Sequence, residues 1–371
     1  MPANNNKLTE RRRFIKNAAL AGTAVLGTGE AAAAVKTPER RLRIGVMGAK
    51  PSFISYSWSD LMEPDKEPNN MKRGNFGTPF LNMNITHVWD VNPVNARAFA
   101  ERMNAKVVKD YDGMVGLVDG VVFGGINEVP WQHRLARPYI EAGIPTYLSR
   151  PFAFSIRDID DILECAAKHG TPIMATAKYE HYNEAPALRE KLKNIGIINC
   201  VHATGWSRDF PMHFHIQFMM LKILGYDVGQ VSVITDNAMR NKYLQETFLF
   251  NGWEGQPPYL CSIQAAPNQD QFTVTIVGSE TTVTASMLRS PHWRDSLLFR
   301  YAPQVIDMQR TFEGKLYEPL DNIRKKTEIF LTGYYSHLER GGAPVDVGTV
   351  SVDWHAPSPT PGWIDESIFK R

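Results

Sequence analysis

The chain is poor in the features that mark several functional classes. It has three cysteines, Cys165, Cys200 and Cys261, far apart and odd in number. Disulfide frameworks are not built that way, and no Cys/His spacing of a structural zinc site occurs, so no metal is expected. Each cysteine reads as a small buried hydrophobe. Beyond residue 27 no apolar run approaches the roughly 20 residues that a membrane-spanning helix needs, so no stable membrane insertion is expected. The formal net charge is only +2, with excess positive charge near the N-terminus and in Arg40, Arg41 and Arg43. No basic stripe is left to attract nucleic acid.

What is present starts with a targeting pattern. Arg11-Arg12-Arg13-Phe14-Ile15-Lys16 reads R-R-x-F-I-K. It is followed by a mildly apolar run, Asn17 to Gly27, and by small residues at Ala31 to Ala34. A charged region, a short apolar region and a small-residue exit make a secretory signal, and the paired arginines mark the twin-arginine route. Residues 1–36 are therefore expected to be this signal. The mature chain would then be periplasmic or otherwise extracytoplasmic, exported already folded and able to carry a cofactor loaded beforehand. A basic amphipathic surface helix is the other reading.

From residue 40 the sequence alternates short apolar runs with helical patterns. Strands are expected at 43–47, 84–89, 106–108, 118–123, 144–148 and 172–175. Helices are expected at 94–103, 130–142 and 155–169. Asn92 and Pro93 supply a cap and a first-turn proline for the first helix; Gly143 and Gly170 end the other two. Such alternation predicts a parallel sheet covered on both faces, a Rossmann-like nucleotide-binding domain over 40–178. Residues 55–81, polar and bearing Pro and Gly, read as an insertion over the cofactor or substrate mouth.

After residue 178 the pattern changes. Helices are expected at 184–193, 215–224 and 321–338. Strands are expected at 197–205, 228–235, 259–265, 271–277, 281–287 and 297–301, with a hairpin turning at Gly278-Ser279. This makes a second domain over 179–345 on a mostly antiparallel open sheet, followed by an extended tail, 346–371. The fold class is thus α/β plus α+β.

In a dinucleotide site, glycines after the first strand let the backbone approach the pyrophosphate. Here Gly45-Val46-Met47-Gly48-Ala49-Lys50-Pro51 keeps only the first glycine of G-x-G-x-x-G, at Gly48. Lys50 stands where the second belongs, and Pro51 removes an N–H. Lys50 is either a phosphate partner or a solvated side chain. Asp90, ending the second strand, is either an acceptor for ribose hydroxyls, favouring NAD over NADP, or a helix-entry carboxylate.

Three stretches together resemble the glucose–fructose oxidoreductase, inositol dehydrogenase and MocA family. They are WDVNPVNARAFAERM (89–103), VDGVVFGGINEVPWQHRLARPYIEAGIPTYLSRPFAFS (118–155) and GWSRDFPMHFHIQFMMLKILG (205–225). The resemblance spans residues 41–345. It implies NAD as cofactor, a sugar or glycoside as small-molecule substrate, and a homo-oligomer. It also implies a cofactor site at Gly45, Gly48, Ala49, Lys50, Asp90, Gly124, Gly125, Asn127 and Arg150. The family's Glu-Lys-Pro is here Ser149-Arg150-Pro151. His215 falls on the family's catalytic histidine. Pro211 and Phe218 replace family acids, and Lys178 falls near a basic position after the sixth strand.

Oxidising a sugar hydroxyl needs a base for its proton and positive charge beside the developing alkoxide. His215 suits the first role. Arg150 supplies charge but cannot give up a proton, since its pKa exceeds about 12. Lys178 completes the candidate catalytic set. Asp209, His213, His181 and Trp293 are candidate substrate contacts. His213 and His215, two apart, diverge if both are helical. Two functions remain open. One is an exported oxidoreductase with tightly held NAD, including redox-neutral glycosidase chemistry. The other is a non-catalytic carbohydrate-binding protein that kept the fold.

Overall fold

The computed structural model describes residues 40–49, 58–62, 81–125, 127–206, 213–235, 243–252, 255–266, 272–287, 293–358 and 364–370. The expected signal, Lys50, Pro51, Asp209 and Pro211 lie outside the described residues, as does the side chain of Trp293.

The first sheet contains β1 (Leu42–Met47), β2 (Met83–Trp89), β3 (Lys106–Val107), β4 (Gly120–Phe123), β5 (Thr146–Tyr147) and β6 (Ile173–Met174). All its pairs are parallel, in the order β3-β2-β1-β4-β5-β6. Near-continuous apolar strands such as β4, buried at every position, suit a sheet covered on both sides. A short helix α1 (Ser59–Met62) precedes β2. Helix α2 (Pro93–Met103) starts where expected, Asn92 Oδ1 accepting from the Val94 amide at 2.9 Å. The single helix expected at 130–142 is divided. A 3₁₀ turn, Val129–Trp131, leads into α3 (Gln132–Leu135), and α4 (Arg137–Glu141) restarts with Pro138 in its first turn. Proline lacks the N–H that would continue the ladder and is at home only in a first turn. Helix α5 (Ile156–His169) is capped by Ser155, whose hydroxyl accepts from the Asp158 amide, and ends at left-handed Gly170.

The second half adds α6 (Glu184–Lys191), β7 (Ile198–Trp206), α7 (Phe214–Leu224), β8 (Val228–Thr235), β9 (Leu244–Phe250), β10 (Tyr259–Ala266), β11 (Phe272–Gly278) and β12 (Thr282–Met287). Helices α8 (Trp293–Phe312) and α9 (Leu320–Arg340) and the short β13 (Val345–Asp346) follow. The sheet order is β12-β11-β7-β10-β9-β8-β13, antiparallel except for β7 beside β10. Its strands alternate buried with exposed or half-buried positions, so one face meets α6, α7 and α9 and the other is open. Cys165 and Cys261 are buried, as expected; Cys200 is exposed, because it falls on the outward phase of β7.

Two further elements depart from expectation. Strand β9 was not anticipated, although its sequence alternates and inserts between β8 and β10. Residues 297–301 are not a strand but lie within α8, a 20-residue helix that carries Pro303 inside it. A short apolar run fits a strand, and a proline is disfavoured inside a helix. Tertiary packing overrides both, because Tyr301, Val305, Met308 and Phe312 are buried against the first sheet with Ile44, Val46, Phe99 and Trp58. Helix α8 therefore returns to the N-terminal sheet. The tail does likewise: the Arg157 amide donates to Val352 O at 3.1 Å, the Ala356 amide to Phe154 O at 2.8 Å, and Phe369 meets Tyr111 edge-on. Among the described residues no helix is long and apolar enough to cross a membrane, and no cluster of metal-ligating side chains occurs.

Candidate active site

Parallel strands put all their carboxyl ends on one edge. Along that edge, in spatial order, follow Asp90 after β2, Gly48 after β1, Gly124 after β4, Arg150 after β5 and Lys178 after β6. The chain leaves β1 in one direction and β4 in the other, which makes their junction the topological switch point where open α/β sheets bind ligands.

At the switch point the backbone is tight. Gly48 has φ +83°, and a Cβ there would lie 1.8 Å from Glu128 Oε1. A Cβ on Gly124 would lie 2.2 Å from Gly48 O, so both positions need glycine. The Gly48 amide donates to Trp89 O and the Gly124 amide to Met47 O. Asp90 closes this end. Its Oδ2 accepts from the Ala49 amide at 2.6 Å and its Oδ1 from the Asn92 amide at 2.7 Å. The carboxylate is thus both a brace for the turn and a helix-entry acceptor. Gly45 is inside β1, facing Met114 and Val118 rather than the turn. Gly125 and Asn127 are half-buried beyond Gly124. Glu128, which sequence reasoning missed, brings a buried carboxylate against Gly48. The strand order, the left-handed Gly48 and the placed Asp90 fit a dinucleotide.

At the other end, side chains from five segments converge. Arg150 and Lys178 are buried, at 7% and 6% exposure, and His215, from the first turn of α7, at 2%. The Arg150 guanidinium lies over Trp58, 5.4 Å from the ring centroid. Lys178 Nζ lies 4.8 Å from the Tyr179 ring centroid and 5.1 Å from that of Tyr301. The Tyr179 ring meets His215 edge-on at 5.3 Å, and Trp58 meets Tyr147 at 4.8 Å and Tyr301 at 5.9 Å. Burial, then the charges of Lys178 and Arg150, hold the His215 imidazole well below its ordinary pKa. Its Nδ1 is buried with no hydrogen-bond partner in the protein. A neutral imidazole with an unsatisfied buried nitrogen is equipped to exchange a proton with a ligand.

A second layer holds these groups. Gln132 grips the Ser149-Arg150-Pro151-Phe152 turn, its Nε2 donating to Ser149 O at 3.0 Å and Phe152 O at 2.8 Å. Its Oε1 accepts from the Ser149 amide. That grip supports Phe152 at φ +86°, unusual for a residue with a side chain, while its ring stacks on Phe218. The Tyr147 hydroxyl donates to Thr176 O at 2.8 Å, accepts from Gln304 of α8 and lies within hydrogen-bonding reach of Arg150. Burial pushes the Tyr147 pKa up, so it remains protonated. Lys326 of α9, wholly buried, bonds to Glu180, Glu318 and Ala175 O. Burial opposes its charge, but the two carboxylates more than offset that and keep it an ammonium.

Two expected substrate contacts point elsewhere. His181 uses both ring nitrogens inside the protein, on Asp307 at 2.8 Å and Thr176 at 2.7 Å. His213, fully buried, stacks on Phe330 and sits 3.6 Å from Glu246. It therefore faces α9, diverging from His215 as i, i+2 positions do. Trp58, Tyr147, Tyr301 and Gln132 were not anticipated. Trp58 was hidden in the insertion and Tyr301 in a run misread as strand. Tyr147 sits in a strand whose apolar pattern carries no mark of a site.

Residues 42–177 match the GFO_IDH_MocA family, described as an oxidoreductase family with NAD-binding Rossmann fold. The N-terminal domain is thus an NAD-binding domain of the oxidoreductase type. No curated protein matches the chain significantly. Among solved structures, GenD2 from gentamicin A biosynthesis in complex with NAD is 15% identical, covering 87% of this chain and 99% of its own, with TM-score 0.64. WlbA dehydrogenase from Bordetella pertussis, in complex with NADH and UDP-GlcNAcA, is 15% identical over 83% of this chain and 98% of its own, with TM-score 0.62. Scyllo-inositol dehydrogenase from Lactobacillus casei, with NAD(H) and scyllo-inositol, is 12% identical over 83% and 99%, with TM-score 0.64. At these identities the likeness is one of fold, and it bears out the pairing of a parallel Rossmann sheet with a mostly antiparallel second sheet.

Proposed function

We propose that the protein is an NAD-dependent oxidoreductase acting on a hydroxyl of a sugar or glycoside, exported through its twin-arginine signal with the cofactor already bound. The observation that carries this reading is the meeting of His215, Lys178 and Arg150 at one end of the row of strand termini whose other end is suited to a dinucleotide. The sugar, sugar nucleotide and inositol named with the structural neighbours support the same substrate class.

Bound NAD would supply the hydride acceptor; Gly48, Ala49, Asp90 and Gly124 would hold it. His215 takes the proton of the substrate hydroxyl on its imidazole. The Lys178 ammonium, held on two tyrosine faces, stabilises the negative charge that develops on that oxygen. Arg150 orients the substrate and does no proton work. Trp58, Tyr147 and Tyr301 exclude water, which strengthens each charge interaction in the pocket. Outside the inner membrane nicotinamide is not replenished. A cycle that restores the cofactor within one turnover therefore fits export, whether by a second substrate or by transient oxidation that drives glycoside elimination.

The Glu128 carboxylate at the turn favours the second reading, a carbohydrate-binding protein without chemistry. The mature protein, purified and denatured, decides between them. Stoichiometric release of NAD, detected by absorbance and mass, upholds the enzyme. Empty protein that fails to bind added NAD overturns it.

A further inference from the structure

Arg150 presents an imbalance that the reaction alone does not require. Its guanidinium is almost wholly buried, lies on the face of Trp58 and reaches the Tyr147 hydroxyl, and among the described residues it has no carboxylate partner. Burying a cation without a counterion is strongly disfavoured, and an aromatic face compensates only part of the loss. Glu180 does not balance it, because that carboxylate is committed to Lys326. The cofactor's phosphates do not balance it either. They belong at Gly48, two strand spacings or roughly 10 Å along the sheet edge from the end of β5.

We propose that Arg150 anchors a carboxylate of the substrate, so that the molecule oxidised beside His215 is a sugar acid, an aldonate or uronate, and not a neutral sugar. This rests on the functional reading above and narrows its substrate class. A guanidinium presents five donors in a planar fork that matches the two oxygens of a carboxylate, a match that an ammonium at this position would not offer. Tyr147 takes one of the guanidinium's five donors. An anion placed between Arg150 and Lys178 also offsets the repulsion that disfavours protonation of His215. Binding the right substrate thereby makes the base stronger.

The test uses the full-length protein saturated with NAD. Calorimetric titration with glucuronate and gluconate is compared with glucose, methyl glucuronate ester and glucose 6-phosphate, and NADH formation is followed in parallel. The acids are expected to bind and be oxidised, with the neutral sugar and the ester about a hundredfold weaker. Arg150→Gln is expected to erase that difference while leaving NAD affinity as it was, and Arg150→Lys to restore part of it. Neutral sugars binding as well as acids would overturn the proposal. So would preference for the sugar phosphate, or Arg150→Gln weakening NAD while sparing the acids. If Arg150→Gln misfolds, the acid-against-ester comparison on the unaltered protein still decides. Bound NAD with acids ignored defeats the substrate class alone; failure to bind NAD defeats the functional reading instead.

Discussion

The two ends of the row of strand termini are built by different means. At the β2 and β1 end the site is mostly backbone: a left-handed glycine, close carbonyls, and one aspartate bonded to the Ala49 and Asn92 amides. At the β5 and β6 end it is side chains delivered from far apart, Trp58, Arg150, Lys178, His215 and Tyr301. A backbone site tolerates sequence drift provided the glycines and the carboxylate remain. A side-chain site changes its chemistry with each substitution. That is why the dinucleotide end can keep its class while the opposite end varies.

The sharpest way to break the comparison is to remove chemistry from one end and measure the other. His215→Asn should lower kcat by about 10²- to 10⁴-fold, the usual contribution of a general base, while NAD released on denaturation stays stoichiometric. Loss of the nucleotide would show the two ends to be one site. The converse is Asp90→Ala, which removes the acceptor for the Ala49 and Asn92 amides and the candidate ribose partner. NAD should bind about 10- to 100-fold more weakly by direct titration, with the effect falling on cofactor affinity more than on turnover.

A third probe is pH. In the unfolded chain histidine titrates near 6.5, whereas native His215 stays neutral well below that. As pH falls below about 6.5 the unfolded state takes up a proton that the native state refuses, so stability declines, by at most about 1.4 kcal/mol per pH unit for this group. Above that pH it contributes no slope. Urea midpoints at pH 7.5, 6.5 and 5.5 should show the decline, and His215→Asn should flatten part of it. His87, His133 and His337, also held low by burial, add to the same decline. The smallest effect belongs to Glu128→Gln. Removing a carboxylate from beside the phosphate turn should tighten NAD severalfold, and an unchanged affinity would place the phosphates away from Gly48.

The same contrast explains what was legible in the sequence. The parallel sheet, its order of elements, the cap at Asn92 and the helix end at Gly170 are local signals, and each lies where expected. His215, Lys178 and Arg150 were named from a resemblance, and the fold brings them together. No local pattern could have supplied Trp58 or Tyr301, since each is recruited by burial against the first sheet. Nor could spacing alone tell His181, which is bonded within the protein, or His213, which lies against Phe330 and Glu246, from His215.

Helix α8 carries one more consequence. Residues 42–177 form a contiguous stretch of alternating strand and helix, yet one face of their sheet is covered by Tyr301, Val305, Met308 and Phe312. Cut out by itself, that stretch would present Ile44, Val46 and their neighbours to water and so be sticky and poorly soluble. The nucleotide half is therefore not a portable module, and a ribosome that has made it still lacks one of its walls until the chain is nearly complete.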